Sequence, residues 1–188
     1  GVDAGTVTIT YTDDNGCSTT ENITVNALPA APTTSDIDYC QDQTATALSA
    51  TAITAHSLVW YDTDGVSVLS SAPTPSTTTS GTTTYYVAQS NDNTGCEGPQ
   101  ASITVTVNPT PTISGTTSLC VGASTTLTGS GTAAATSPWT SSDIAVATVL
   151  QGVVTGVDAG TVTITYTDDN GCSTTENITV NALPAAPT

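Results

Sequence analysis

The side chains in this sequence able to bind, cross-link or catalyse are five cysteines, one histidine and a few aspartate pairs. His56 stands in Thr54-Ala55-His56-Ser57, which reads as a polar turn ahead of an apolar strand. A catalytic histidine needs an orienting partner and a nucleophile motif, and no GxSxG, HExxH, P-loop or GxGxxG pattern occurs. The reading is therefore non-enzymatic, with no catalytic residue and no cofactor. Asp13, Asp14, Asp168 and Asp169 fall at expected hairpin tips, where too little burial is expected to raise a carboxyl for acid–base work. Together with Asp62 and Asp64 they are weak calcium candidates, since carboxylate and carbonyl oxygens are what that ion takes. Turns select the same residue types, and no EF-hand or RTX spacing backs a metal site.

Those side chains must be placed by some scaffold, and a repeat shows its outline. Residues 1–33, GVDAGTVTITYTDDNGCSTTENITVNALPAAPT, recur unchanged at 156–188, an offset of 155. Exposed Thr and Asn positions tolerate substitution, so identity of this length marks recent tandem duplication. A period of 155 exceeds one solenoid unit and carries two Pro-bearing seams. One is Leu28-Pro29-Ala30-Ala31-Pro32, the other Asn108-Pro109-Thr110-Pro111. Pro fixes φ and removes a donor, so the seams read as semi-rigid spacers. The expected modules are 1–28 (the C-terminal part of a truncated module), 29–108 and 109–183, with 184–188 starting the next linker.

Strand patterning fills these modules. Thr161 to Thr167 alternates strictly, with Val162, Ile164 and Tyr166 on one face and Thr on the other, the pattern of a half-buried strand. Asp168-Asp169-Asn170-Gly171 follows as a hairpin signal, because Asn and Gly both tolerate positive φ. A second strand with Ile178 and Val180 inward closes the hairpin, and residues 6–25 repeat it. Thr125–Thr128, Trp139, Ile144–Val149 and Val153–Val154 supply further short strands. In the other module Leu58–Tyr61 reads as a central strand with a core Trp, and Thr84–Ala88 with Ala101–Val107 as the closing pair. The fold class expected is all-β, tandem immunoglobulin-like β-sandwiches in an extended beads-on-a-string array.

Composition narrows the partners. The chain has no Lys or Arg and 16 acidic residues, for a net charge of -16. Nucleic-acid binding is excluded, because it depends on cationic side chains releasing counterions. Docking on anionic lipid is disfavoured for the same reason, and no apolar run is long enough for direct membrane insertion. Low hydrophobicity with high charge ordinarily favours disorder, but the regular alternation of Val, Ile, Leu and Tyr argues for folded modules. Lysine-mediated isopeptide cross-links are impossible in a chain without lysine.

Cys40 and Cys96 fall in one expected module, Cys120 and Cys172 in the next, and Cys17 repeats Cys172. The expected bridges are Cys40–Cys96 and Cys120–Cys172, with the partner of Cys17 outside the chain at 120 − 155 = −35. Free core thiols are the alternative. Zinc is disfavoured by the absence of CxxC spacing and by the single histidine.

The run Trp139-Thr140-Ser141-Ser142-Asp143, then Ala147-Thr148-Val149, then Gly152-Val153-Val154-Thr155-Gly156-Val157-Asp158-Ala159-Gly160-Thr161, resembles the bacterial immunoglobulin-like group 2 domain. The module at 29–108 resembles the Ig-like or PKD-like modules of giant Bacteroidota surface proteins. Alternation of the two kinds, each with a Cys pair, resembles the repeat region of SprB-type gliding-motility adhesins of flavobacteria. That resemblance implies type IX secretion, an outer-cell-surface location and a role in adhesion and gliding. The expected function is a stalk or spacer repeat whose partners are neighbouring repeats of the same chain. The alternative is a multivalent module binding surface glycans or surface proteins, with Tyr61, Tyr85 and Tyr86 as contacts and avidity from repetition.

Overall fold

The computed structural model describes residues 3–185, and every regular element among them is a β-strand. Residues 1–2 of the first expected module and 186–188 of the last seam lie outside the described residues. Tandem immunoglobulin-like sandwich construction is what the chain adopts. Contacts divide it into two compact units, one of residues 1–37, 45–76 and 82–106, the other of residues 38–44, 77–81 and 107–188.

In the first unit, β1 (Gly5–Thr12) and β2 (Ser18–Val25) form a two-stranded hairpin. A five-stranded sheet follows in the order β3-β7-β6-β4-β5, built from β3 (Ile37–Cys40), β4 (His56–Tyr61), β5 (Val68–Leu69), β6 (Gly81–Asn91) and β7 (Ala101–Asn108), of which residues 38–40, 81 and 107–108 cluster with the second unit. Alternation along β7 buries Ile103 and Val105 while their neighbours stay partly exposed. Trp60 is buried in β4, between β6 and β5, and β6 lies beside β7, as the patterning predicts. Gln89 is wholly buried in β6, a position that demands partners for both ends of its amide. Its Oε1 accepts from the Ile53 N–H (2.9 Å) and its Nε2 donates to the Ala30 carbonyl (2.7 Å), which ties the Pro29 seam to the sheet.

The second unit is a sandwich of two four-stranded sheets. One runs β12-β13-β10-β8 and the other β11-β14-β15-β9. Their strands are β8 (Ile113–Gly115), β9 (Ser118–Cys120), β10 (Ser124–Gly129), β11 (Trp139–Ser141), β12 (Ala147–Leu150), β13 (Val153–Gly156), β14 (Gly160–Thr167) and β15 (Ser173–Asn181). Leu119, Leu127, Ala147, Val154, Val162, Ile164, Ile178 and Val180 make the core, with Trp139 packed against it. Tyr166 is buried with its ring tilted against Trp139, centroids 4.6 Å apart. Gly129 passes under that ring so closely that a Cβ there would lie 2.4 Å from it. β15 pairs antiparallel with β14 and parallel with β9, Asn181 opposite Cys120.

Three local readings are corrected. Gly171 adopts positive φ (80°) but Asn170 does not, so the hairpin is not the mirror-image two-residue turn. The Gly171 N–H donates to the Asp168 carbonyl (3.1 Å) and the Asp168 N–H to the Cys172 carbonyl (2.9 Å), a type I turn followed by a left-handed glycine. His56 opens β4 and is not in a turn; the positive φ of Ala55 (59°) makes the bend before it. Ile144 is exposed outside any strand, because the Val146 and Ala147 N–H groups close a turn on the Asp143 carbonyl and β12 starts only at Ala147.

Candidate functional site

The covalent feature of the structure is a disulfide between Cys40 and Cys172, with Cα atoms 5.5 Å apart. Both cysteines belong to the second compact unit, although 132 residues separate them in sequence. Each is held by local hydrogen bonds. Cys40 ends β3, and its N–H donates to Gln43 Oε1 (2.9 Å) while its carbonyl accepts from the Gln43 N–H (3.0 Å). Asp42 turns the chain with positive φ (64°), a conformation Asp tolerates better than most side chains. The Gln41 N–H donates to the Asn108 carbonyl (2.8 Å), and Thr77 Oγ1 donates to the Gln43 carbonyl (2.6 Å). These bonds explain why residues 38–44 and 77–81 cluster with the chain that follows Val107. On the other side Cys172 is fully buried, its N–H donating to Asp168 Oδ1 (2.8 Å).

This bridge replaces both expected pairings, and strand length gives the reason. Cys172 immediately precedes β15, whereas Cys120 lies opposite Asn181 at that strand's last residue. Nine residues of strand at about 3.3 Å each put them roughly 30 Å apart. A disulfide tolerates a Cα separation below about 7 Å. Cys96 likewise sits in the connection ahead of β7, its carbonyl accepting from the Asn91 N–H at the end of β6 (3.0 Å). Cys40 instead adjoins Gln41, which bonds Asn108 at the far end of β7. Each expected pair is split between the two ends of a strand. Cys17 and Cys120 are exposed free thiols, and Cys96 is a partly exposed one.

The acidic candidates serve their own turns. Asp13 Oδ1 accepts from the N–H groups of Asn15 (2.9 Å) and Cys17 (2.8 Å), and Asp168 Oδ1 from those of Asn170 (3.1 Å) and Cys172. Asp62 Oδ1 accepts from the Thr63 N–H. Asp64 is bonded to Ser67 Oγ and to the Ser67 and Val66 N–H groups, which hold its carboxyl below the ordinary range, the Ser67 hydroxyl contributing most. Asp14 and Asp169 stand beside these at the tips. Contrary to the sequence reading, Asp168 is 5 % exposed, because Ala133 bridges to it and Thr132 receives the Asp169 N–H. Among the described residues no group of three or more His, Cys, Asp or Glu is arranged to hold a metal.

His56 Nδ1 lies 2.9 Å from the Thr54 carbonyl, and Nε2 lies 3.3 Å from Asn91 Nδ2. No nucleophile is placed against either nitrogen by these contacts. Tyr61 is buried, and its hydroxyl donates to Glu97, which raises the phenol's pKa. Burial and, to a lesser degree, Asp62 raise that of Tyr85. The Tyr86 ring lies near Gly65, where an added Cβ would stand 3.4 Å from it. A shallow cleft of about 230 Å³ is lined by Thr33, Thr34, Ser35 and Ser49 together with Ile37 and Ala50. Gln41, Gln43 and Thr77, which position the bridge, carry no motif that the sequence alone could single out.

Residues 29–109 match the family described as Ig-like domain, CHU_C associated, and residues 101–180 match the bacterial Ig-like domain (group 2). Ig-like domains of both kinds are therefore present in this chain. No curated protein matches it. Among solved structures it is similar to a C-terminal fragment of intimin in complex with the translocated intimin receptor, at 22 % identity and TM-score 0.35, over 57 % of this chain and 42 % of that one. Sidekick-1 immunoglobulin domains 1–5 are similar at 14 % identity and TM-score 0.38, over 96 % and 47 %. The Bacteroides ovatus protein SGBP-B, in complex with a mixed-linkage heptasaccharide, is similar at 17 % identity and TM-score 0.26, over 82 % and 46 %. The chain thus spans less than half the length of each of these three.

Proposed function

We propose that this chain is a stalk segment of a very large secreted cell-surface adhesin, a spacer repeat that serves surface adhesion and, as in the SprB-type proteins it resembles, gliding motility. The observation that carries the reading is the unchanged repetition of 33 residues at an offset of 155 in a chain built of Ig-like modules. Exact copies suit a spacer, whose job is reach and inertness, better than a set of recognition surfaces. The acidic charge keeps copies soluble and mutually repelling. The parallel β9–β15 pair also supports it: force applied along both strands loads their ladder bonds in shear, all at once. An oxidising, extracellular location accords with the disulfide.

The competing reading, a multivalent glycan or protein binder, draws on the hydroxyl-lined cleft beside Thr33 and Ser49. Excising one 155-residue period from the parent protein separates the two. A spacer predicts unchanged attachment per filament with shorter reach in electron micrographs. Attachment falling in proportion to the number of periods, with a saturable glycan-array signal from the 188-residue chain, would overturn the spacer reading.

A further inference from the structure

We infer that Cys96 and Cys120 are the two halves of a second cross-link, formed between one 155-residue period and the next, so that every seam of the array is bridged. The inference rests on tandem repetition and not on the stalk role.

The Cys40–Cys172 bridge occupies the Pro109 seam: Cys40 is one residue from Gln41, which bonds Asn108, and Cys172 lies in the sandwich that follows. The Pro29 seam carries the complementary arrangement. Cys120 lies opposite Asn181, and the chain leaves that point through Ala182, Leu183 and Pro184. Asn26, Ala27, Leu28 and Pro29 are the same residues one period earlier. In this chain Pro29 is seated against the loop that carries Cys96: a Cβ on Gly98 would lie 2.3 Å from the Pro29 carbonyl oxygen. Gln89 fixes the next residue, Ala30, from the same side, and the Gly98 N–H bonds the Gln89 carbonyl (3.0 Å).

A copy of Cys120 set beside Asn26, as Cys120 is set beside Asn181, is therefore three residues of chain from Pro29. Cys96 is two residues from Gly98, on the other side of that contact. Three extended residues reach at most about 10 Å and two at most about 7 Å, which puts both cysteines at this seam; the bond requires both segments to fold back until the Cα atoms stand less than about 7 Å apart. Neither has a partner in its own module, because strand length separates it from the other cysteine there. Both thiols are accessible, Cys120 being exposed and Cys96 partly exposed. By the same repeat arithmetic Cys17, clamped by Asp13 as Cys172 is by Asp168, takes the preceding copy of Cys40.

Formation of the bond removes one proton and one electron from each thiol, and a small-molecule disulfide such as oxidised glutathione accepts them, its S–S bond giving two thiols. The test uses the 188-residue chain continued by a second copy of residues 34–188, with Cys96→Ser in the first copy and Cys120→Ser in the second so that each remaining peptide is unique, refolded with oxidised glutathione, alkylated and digested without reduction. Trypsin has no site in a chain without Lys or Arg, so Asp-N and Glu-C are used. The expected result is a peptide pair joining Cys120 to the second copy's Cys96, with alkylation lost at both. Cys120→Ser in the first copy as well restores alkylation of the second copy's Cys96 and keeps the Cys40–Cys172 pair, which shows that the fold survives. A Cys120 alkylated or glutathionylated in a chain that has formed Cys40–Cys172, or joined to a cysteine of its own module, overturns the inference.

Discussion

One sequence occurs twice in these 188 residues, once against an opposite sheet of its own sandwich and once without one among the described residues. The hairpins β1–β2 and β14–β15 have identical residues, identical register and the same turn, with Gly16 (φ 84°) and Gly171 (φ 80°) in the same left-handed conformation. Their polar faces make the same bonds. Thr8 donates to Asn22 Oδ1 at 2.8 Å, and Thr163 to Asn177 Oδ1 at 2.9 Å. Their apolar faces differ: Ile9 is 49 % exposed and Tyr11 67 %, whereas Ile164 is 0 % and Tyr166 2 % exposed. The hairpin's backbone is thus dictated locally, by alternation and an Asp-capped turn. Burial comes from the opposite sheet, through Leu127 and Val154, and from Trp139 of β11. Sequons at Asn22 and Asn177 fall on the polar face in both copies, where the amides are already bonded to Thr.

Paired substitutions measure how much the second environment contributes. Ile164→Ala removes a fully buried side chain and is expected to cost on the order of 2–5 kcal/mol in denaturant unfolding, including the cavity left behind. Ile9→Ala, the same change in the exposed copy, is expected to stay within about 0.5 kcal/mol. Equal effects at the two sites would break the comparison.

A smaller difference is expected at the turn. Asp168→Ala strips a buried carboxylate from the Asn170 and Cys172 N–H groups and is expected to cost roughly 1.5–3 kcal/mol. Asp13→Ala removes the same bonds in a more exposed hairpin and is expected to leave global unfolding nearly unchanged, while local hydrogen exchange at Cys17 rises.

The smallest effect lies outside both hairpins and serves as a control. Bonding to Glu97 raises the Tyr61 phenol above its ordinary 10.0, so the protonated form is favoured in the folded chain. That contribution is fully present below pH 10 and is lost as pH climbs through the raised value. A melting temperature followed above pH 10 should show an extra decline that Tyr61→Phe abolishes, with the Ile164 to Ile9 difference intact at neutral pH.

What the sequence made legible follows the range of the interaction. Period-2 alternation is local, so Val162, Ile164, Tyr166, Ile178 and Val180 could be assigned to the core face, and all five are buried. The turn was half legible: Asn170-Gly171 marks its place, but the Asp168 side chain selects a type I geometry that leaves Asn170 out of positive φ. Asp168 looks exposed by residue type and is buried because Ala133 and Thr132 cover it from 35 or more residues away. The cysteine pairing was least legible. Seams and spacing put Cys40 with Cys96, whereas Cys40 clusters with Cys172 in the second unit, because which end of a strand a cysteine adjoins depends on strand order, and parallel β9–β15 pairing carries no sequence signal.

Cys40 is bonded to Cys172, and neither Cys40–Cys96 nor Cys120–Cys172 forms. Asp-N mapping of the oxidised, alkylated 188-residue chain checks this, because it leaves Cys17 in 14–35, Cys172 in 169–188 and Cys40 in 38–41 as distinct peptides. The expected result is one cross-linked pair carrying Cys40 and Cys172, with Cys17, Cys96 and Cys120 alkylated. A pair joining Cys40 to Cys96, or Cys120 to Cys172, would contradict it.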